Sequence, residues 1–193
     1  MFLFCDIIIL VIKMDENKPQ RKPTRIKKYD YSSVGAYFVT LCTQNRNHIL
    51  SEIVKTDNTH INITNNNIVG GDVLDAPINV RLLPYGKIAE KYIKQLEDYY
   101  DNLKIDYYVI MPDHIHILLF VNKNGASRTS PPTRQHSTLS RFVSTFKRFC
   151  NKEYGKNIWQ DSFYDHIIRN REDYNEHMKY VHDNPKKWYY EHK

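Results

Sequence analysis

Three cysteines in 193 residues, Cys5, Cys42 and Cys150, with no CxxC pair among them, exclude a disulfide framework and a thiolate zinc site. A reducing, cytoplasmic setting suits that usage. Long hydrophobic runs are also missing. The opening "MFLFCDIIILVIK" is shorter than the roughly 20 apolar residues that a spanning helix needs, and Asp6 interrupts it. It also lacks the positive start and small-residue cleavage site of a secretory signal, so no membrane is expected. Met14 opens a polar run, "MDENKPQRKPTR", and is the expected true start. Acid is absent from residues 17–28, which carry Lys18, Arg21, Lys22, Arg25, Lys27 and Lys28. Internal repeats are absent too, and the length predicts one domain over residues 29–193 behind an apolar stub and disordered basic arm over 1–28.

The chain carries 28 Lys and Arg against 22 Asp and Glu, a net charge of +6. That excess is concentrated in the arm and in a second group, Arg141, Lys147, Arg148, Lys152 and Lys156, on an expected helix. A solvated tail and helix face account for this pattern as well as a polyanion does; among polyanions, nucleic acid is the commonest partner. Arg21, Lys22, Arg25, Arg141, Lys147 and Arg148 are the candidate phosphate contacts.

Periodicity divides the rest. "AYFVTLCT", residues 36–43, reads as a strand, and residues 55–80, rich in Asn and Gly, as loop or hairpin. Helical spacing of Ile88, Tyr92, Ile93, Leu96 and Leu103 predicts a helix from about Tyr85 to Asn102. "IDYYVIM" and "HIHILLFV" follow as two strands hinged at Pro112–Asp113, then a polar linker over 122–136. Ser137 or Thr138 is placed to cap a helix with the stripe Leu139, Phe142, Val143, Phe146 and Cys150. "DSFYDHIIR" reads as another strand and "REDYNEHMKYVHDN" as a closing helix ended by Pro185. This order predicts an α+β fold, an antiparallel sheet with its helices on one side.

Two histidines one residue apart in an apolar strand raise the first chemical question. Residues i and i+2 of a strand share a face, so His114 and His116 project side by side. They suit metal binding, and equally two hydrogen-bonded core histidines. On the closing helix, Tyr174, Met178 and Val181 form a core stripe, and Tyr180 lies roughly 120° from it. Asn184, one turn on, shares Tyr180's face, and His177 is three residues back on the same side. Tyr180 is one of fifteen tyrosines, most of which a structural packing role would explain, and His177 equally suits a solvated surface. Together, two imidazoles and an amide oxygen make a neutral, incomplete ligand set. Such a set suits Mg²⁺ or Mn²⁺ arriving with a polyanion. A tyrosine beside that ion can attack a phosphodiester, leaving a covalent phosphotyrosine and a free 3′-hydroxyl.

The block "PDHIHILLF" resembles the His–hydrophobic–His signature of the HUH nucleases. With "YFVTLCTQNR" before it and "IWQDSFYDHIIRNREDYNEHMKYVHDNPKKW" after it, the chain resembles REP-associated tyrosine transposases, relatives of the single-tyrosine IS200-like enzymes, over about Arg25 to Trp188. The resemblance implies a ferredoxin-like antiparallel sheet flanked by helices (the HUH fold). It assigns the metal to His114 and His116, the nucleophile to Tyr180 and the third ligand to Asn184. It also implies a transposase, monomer or homodimer, that cleaves and rejoins single-stranded DNA near a hairpin or palindromic repeat. His166 falls in the family block, with strand packing its expected role. A rolling-circle initiator or relaxase, and a domesticated DNA-binding module, are the alternative readings.

Overall fold

The computed structural model describes residues 34–55, 77–122 and 137–193. The apolar stub, Met14, the basic arm with Arg21, Lys22 and Arg25, and most of the Asn-rich and Pro-containing linkers lie outside the described residues. Along the chain come β1 (Gly35–Cys42), β2 (Ser51–Lys55), β3 (Ile78–Leu82), α1 (Pro84–Tyr99), β4 (Leu103–Ile110), β5 (His114–Val121), α2 (Thr138–Tyr154), β6 (Tyr164–Ile168) and α3 (Arg171–Glu191).

Four strands form one sheet in the order β4-β5-β1-β6, every neighbouring pair antiparallel. Helix α1, reached from inner strand β1 by way of β2 and β3, leads to edge strand β4, and α2 leads from inner strand β5 to edge strand β6, which is the ferredoxin-like connectivity expected. β2 and β3 pair as a separate antiparallel ribbon. β2 is missing from the sequence reading, because "SEIVK" is short and half exposed.

Both faces of the sheet are apolar, and this overturns the expectation of helices on one side. Tyr37, Val39 and Leu41 of β1, with Ile115, Ile117 and Leu119 of β5, point into the larger core. There they meet Ala89, Ile93 and Leu96 of α1 and Leu139, Phe142, Val143 and Phe146 of α2. The intervening residues Phe38 and Leu118 point the other way, into a second core closed by Val181, Tyr174, Met178 and Trp188 of α3. A strand with large apolar residues on both faces needs cover on both. Full burial of Val181 contributes about 1.5–3 kcal/mol to holding α3 there.

Local signals set the helix limits. Ser137 caps α2, its side chain accepting from the Ser140 amide at 3.1 Å, and Gly155, at φ 71°, ends it in a left-handed turn. α1 stops at Tyr99, three residues before the expected Asn102. α3 runs through Pro185 to Glu191, contrary to the expected stop. The turns beyond the proline are held by Trp188, whose ring meets His48 at 5.3 Å and His114 at 6.0 Å between centroids. Tertiary packing outweighs the single hydrogen bond a proline removes.

Gly86 lets α1 sit directly on the chain entering β2. A Cβ there would fall 2.0 Å from the Leu50 carbonyl oxygen, which already accepts from the Leu83 amide at 2.9 Å. Alanine normally favours a helix interior by about 1 kcal/mol over glycine. Gly86→Ala is expected to reverse that sign and destabilise by about 1–3 kcal/mol in urea unfolding, while Lys87→Ala stays near neutral.

Candidate active site

The β1–β5 register decides what surrounds the histidines. Thr40 stands opposite His116 and Cys42 opposite His114. His114 and His116 are both buried, and their Nε2 atoms are 3.0 Å apart. His114 Nδ1 meets Asp113 Oδ1 at 2.5 Å, and His116 Nδ1 meets Thr40 Oγ1 at 2.8 Å. A carboxylate can only accept, so His114 carries its proton on Nδ1 and turns an Nε2 lone pair toward His116. Beyond Asp113, Arg46 Nη1 pairs with Oδ2 at 3.2 Å. The turn after β1 carries Arg46 there, pinned by the Thr43 amide donating to the Asp113 carbonyl at 2.9 Å.

Charge follows from these contacts. Burial, with the His114 ring and the Arg46 guanidinium disfavouring a further positive charge beside them, pushes His116 down to about 3. It is therefore neutral at physiological pH, as a metal ligand must be. Burial works against charge on Asp113, yet the His114 N–H, with Arg46 and His48 close by, holds its carboxyl below the ordinary range.

The donor set fits a divalent cation. Two nitrogens each about 2.1 Å from an ion, at right angles, lie about 3.0 Å apart, the spacing that octahedral coordination needs. Each imidazole is oriented through its other nitrogen by a hydrogen-bonding partner, the usual support of metal-ligating histidines.

α3 covers this pair. The Tyr180 ring lies 5.3 Å from the His116 ring, and the Trp188 ring 6.0 Å from His114. Asn184, one turn along α3 from each of these two, is buried. Tyr180 is 46% exposed, in keeping with its place off the core stripe. A cavity of about 580 Å³ opens beside it, lined among others by Thr40, Arg46, His114, His116, His177 and Tyr180. Sequence reasoning missed Thr40, Arg46 and Asp113. Asp113 was visible as the neighbour of His114, but Thr40 and Arg46 become visible only once β1 is paired with β5.

The predicted helix cations are elsewhere. Arg141 and Arg148 line a groove of about 680 Å³ between α1 and α2, across the sheet from the histidines. Lys147 is committed to the loop before β6, donating to the carbonyls of Gln160 at 2.6 Å and Ser162 at 2.9 Å, and burial brings it down to about 8. His166, expected to pack in its strand, instead bonds Asp173 of α3.

Residues 82–184, more than half the chain, match the model of the family described as "Transposase IS200 like". The chain belongs to that family of transposases. It is 32% identical to the REP-associated tyrosine transposase of Escherichia coli (strain K12) over 84 residues, 44% of this chain and 45% of that protein. An uncharacterised protein of Haemophilus influenzae (strain ATCC 51907 / DSM 11121 / KW20 / Rd) is 23% identical over 183 residues, 87% of this chain and 89% of the relative. Among solved structures, a REP-associated tyrosine transposase bound to a REP hairpin shares the fold, with a TM-score of 0.54 and 20% identity over 84% of this chain and 73% of that one. Among the described residues no helix is long and apolar enough to cross a membrane.

The supporting contacts give a measurable expectation. Asp113→Asn and Thr40→Val should each weaken Mn²⁺ binding by about 10–100-fold in isothermal titration. Glu52→Gln, on the exposed β2–β3 ribbon, should leave it unchanged.

Proposed function

We propose that this transposase cleaves and rejoins single-stranded DNA near hairpins, with Tyr180 as the nucleophile, in a cytoplasmic setting. The observation that carries the reading is the convergence of the His114 and His116 Nε2 atoms at 3.0 Å with the Tyr180 ring packed against His116. That the structurally similar transposase is bound to a REP hairpin supports a hairpin partner for this chain.

His114, His116 and Asn184 would hold Mg²⁺ or Mn²⁺, which when bound supplies positive charge at the scissile phosphate. The residues of the chain do the rest. Tyr180 Oη attacks phosphorus, the phenol O–H and the P–O3′ bond break, and the 3′-oxygen leaves as a hydroxyl. The 5′-phosphate stays on the tyrosine. Attack by a 3′-hydroxyl on that phosphotyrosine reverses each bond change and releases the phenol, so rejoining needs no external energy source. Arg46, more than half exposed at the cavity edge, is available to the incoming phosphates, with the arm cations Arg21, Lys22 and Arg25 as further contacts. Arg141 and Arg148 belong to a separate face, where they would meet only DNA that wraps the sheet.

Tyr180→Phe keeps the ring against His116 and removes the attacking oxygen. It is expected to fold and bind single-stranded DNA as before, and to form no denaturant-resistant protein–DNA adduct. His114→Ala should lose cleavage while keeping most DNA affinity. Cleavage that persists in EDTA, or an adduct in Tyr180→Phe, would refute the reading.

A further inference from the structure

A second polar cluster stands next to the histidine pair. His166 of β6 and Asp173 and His177 of α3 bring ligand-type atoms within 4.8 Å of one another. They do not suit a shared ion. The two imidazoles are stacked, centroids 4.5 Å apart and planes 16° apart, and the nitrogen that each turns inward is already taken up by the Asp173 carboxylate.

Hydrogen bonds close the cluster instead. The Asp173 carboxylate accepts from His166 Nε2, 3.0 Å from each oxygen, and from the Arg169 amide at 3.0 Å. His177 Nδ1 lies 2.8 Å from the Asp173 carbonyl oxygen and 3.0 Å from its Oδ1. Both of those atoms only accept, so Nδ1 carries the proton of neutral His177 and Nε2 is left with a lone pair. Burial opposes charge on Asp173, but the Arg169 amide and the two imidazoles hold its carboxyl below the ordinary range.

His177 and Tyr180, three residues apart on one helix side, both line the cavity. Phe38 packs against both rings, at 4.9 Å from His177 and 6.1 Å from Tyr180. Nearly half of Tyr180 is exposed, so its hydroxyl has room to swing. The His114 and His116 Nε2 atoms are turned toward each other and offer the phenol no free base. The other ionisable groups that touch His177 or share its cavity are His166 and Tyr164 of β6, Asp173 and Glu176 of α3, Cys42 of β1, Arg46 after it, and His114 and His116 of β5.

We propose that His177 is the base that takes the Tyr180 phenol proton during strand cleavage, with Asp173 as its positioning residue. This rests on the reading of Tyr180 as nucleophile. In cleavage the proton passes from Oη to His177 Nε2 as the O–P bond forms. In rejoining the imidazolium returns it to Oη as that bond breaks. The device explains how one neutral phenol serves as both attacking and leaving group.

The test uses the full chain with Mn²⁺ and a randomised single-stranded oligonucleotide pool carrying a central hairpin, scoring adducts on denaturing gels. His177→Asn retains a donor toward Asp173 but has no basic nitrogen. It should slow adduct formation on the order of 10²–10⁴-fold with DNA and Mn²⁺ affinity unchanged. A difluorotyrosine at position 180, whose phenol ionises far more readily, should bring His177→Asn to within about tenfold of the same protein with His177 intact, because an acidified phenol needs little help from a base. A wild-type rate and pH profile in His177→Asn, or no rescue by difluorotyrosine, would overturn the inference. If His177→Asn does not fold, the otherwise unmutated chain carries the test. There difluorotyrosine should shrink the solvent deuterium isotope effect on adduct formation that tyrosine shows, because less proton transfer to His177 remains in the rate-limiting step, and an unchanged isotope effect overturns the proposal. Full activity in His177→Asn with none in Tyr180→Phe defeats this inference alone, whereas adducts in Tyr180→Phe defeat the reading beneath it.

Discussion

The antiparallel pairing of β1 with β5, in the register that sets Thr40 opposite His116, is the constraint on which the site depends. Side chains alternate along each strand, so a slip of one residue would drive the histidines into the α1–α2 core and turn Ile115 and Ile117 outward. The apolar alternation of the two strands forbids that slip. Tyr37, Val39 and Leu41 have their place in one core, Phe38 and Leu118 in the other. The same hydrophobic pattern that stabilises the sheet therefore aims two imidazoles at one point and supplies the threonine that orients one of them. Asp113, at the turn into β5, orients the second and is itself held by Arg46.

α3 completes the arrangement because that face of the sheet cannot be left open. Val181 and Met178 anchor the helix on Phe38 and Leu118, and the rings of Tyr180 and Trp188 then fall beside the histidines. At the other end of the helix Asp173 ties His177 to β6 through His166. Tyr180, His116 and His177 thus come from elements that pack on one patch around Phe38. Rigid support of this kind holds reacting groups in place before the substrate arrives.

Much of this was legible in the chain. The i, i+2 histidines, the place of Tyr180 off the core stripe of the closing helix, and the Ser137 cap each rest on local periodicity, which needs no tertiary knowledge. What escaped depended on contacts between distant segments. Thr40 and Arg46 reach the site through strand pairing and a turn. Lys147 reads as a surface cation until the loop before β6 folds over it and takes its three donors. Pro185 reads as a helix stop until Trp188 docks beyond it. The expectation of helices on one side failed because α3's sparse stripe gave no hint of which sheet face it would cover.

Several tyrosines are exposed, and Tyr164 lines the same cavity as Tyr180. The central claim is that the histidine pair and α3 single out one of them. Proteolysis of the covalent protein–DNA adduct followed by mass spectrometry tests this most directly. The account predicts a nucleotide remnant, joined through a 5′-phosphate, on the peptide containing Tyr180. A remnant on Tyr164, or on any peptide outside α3, would contradict it.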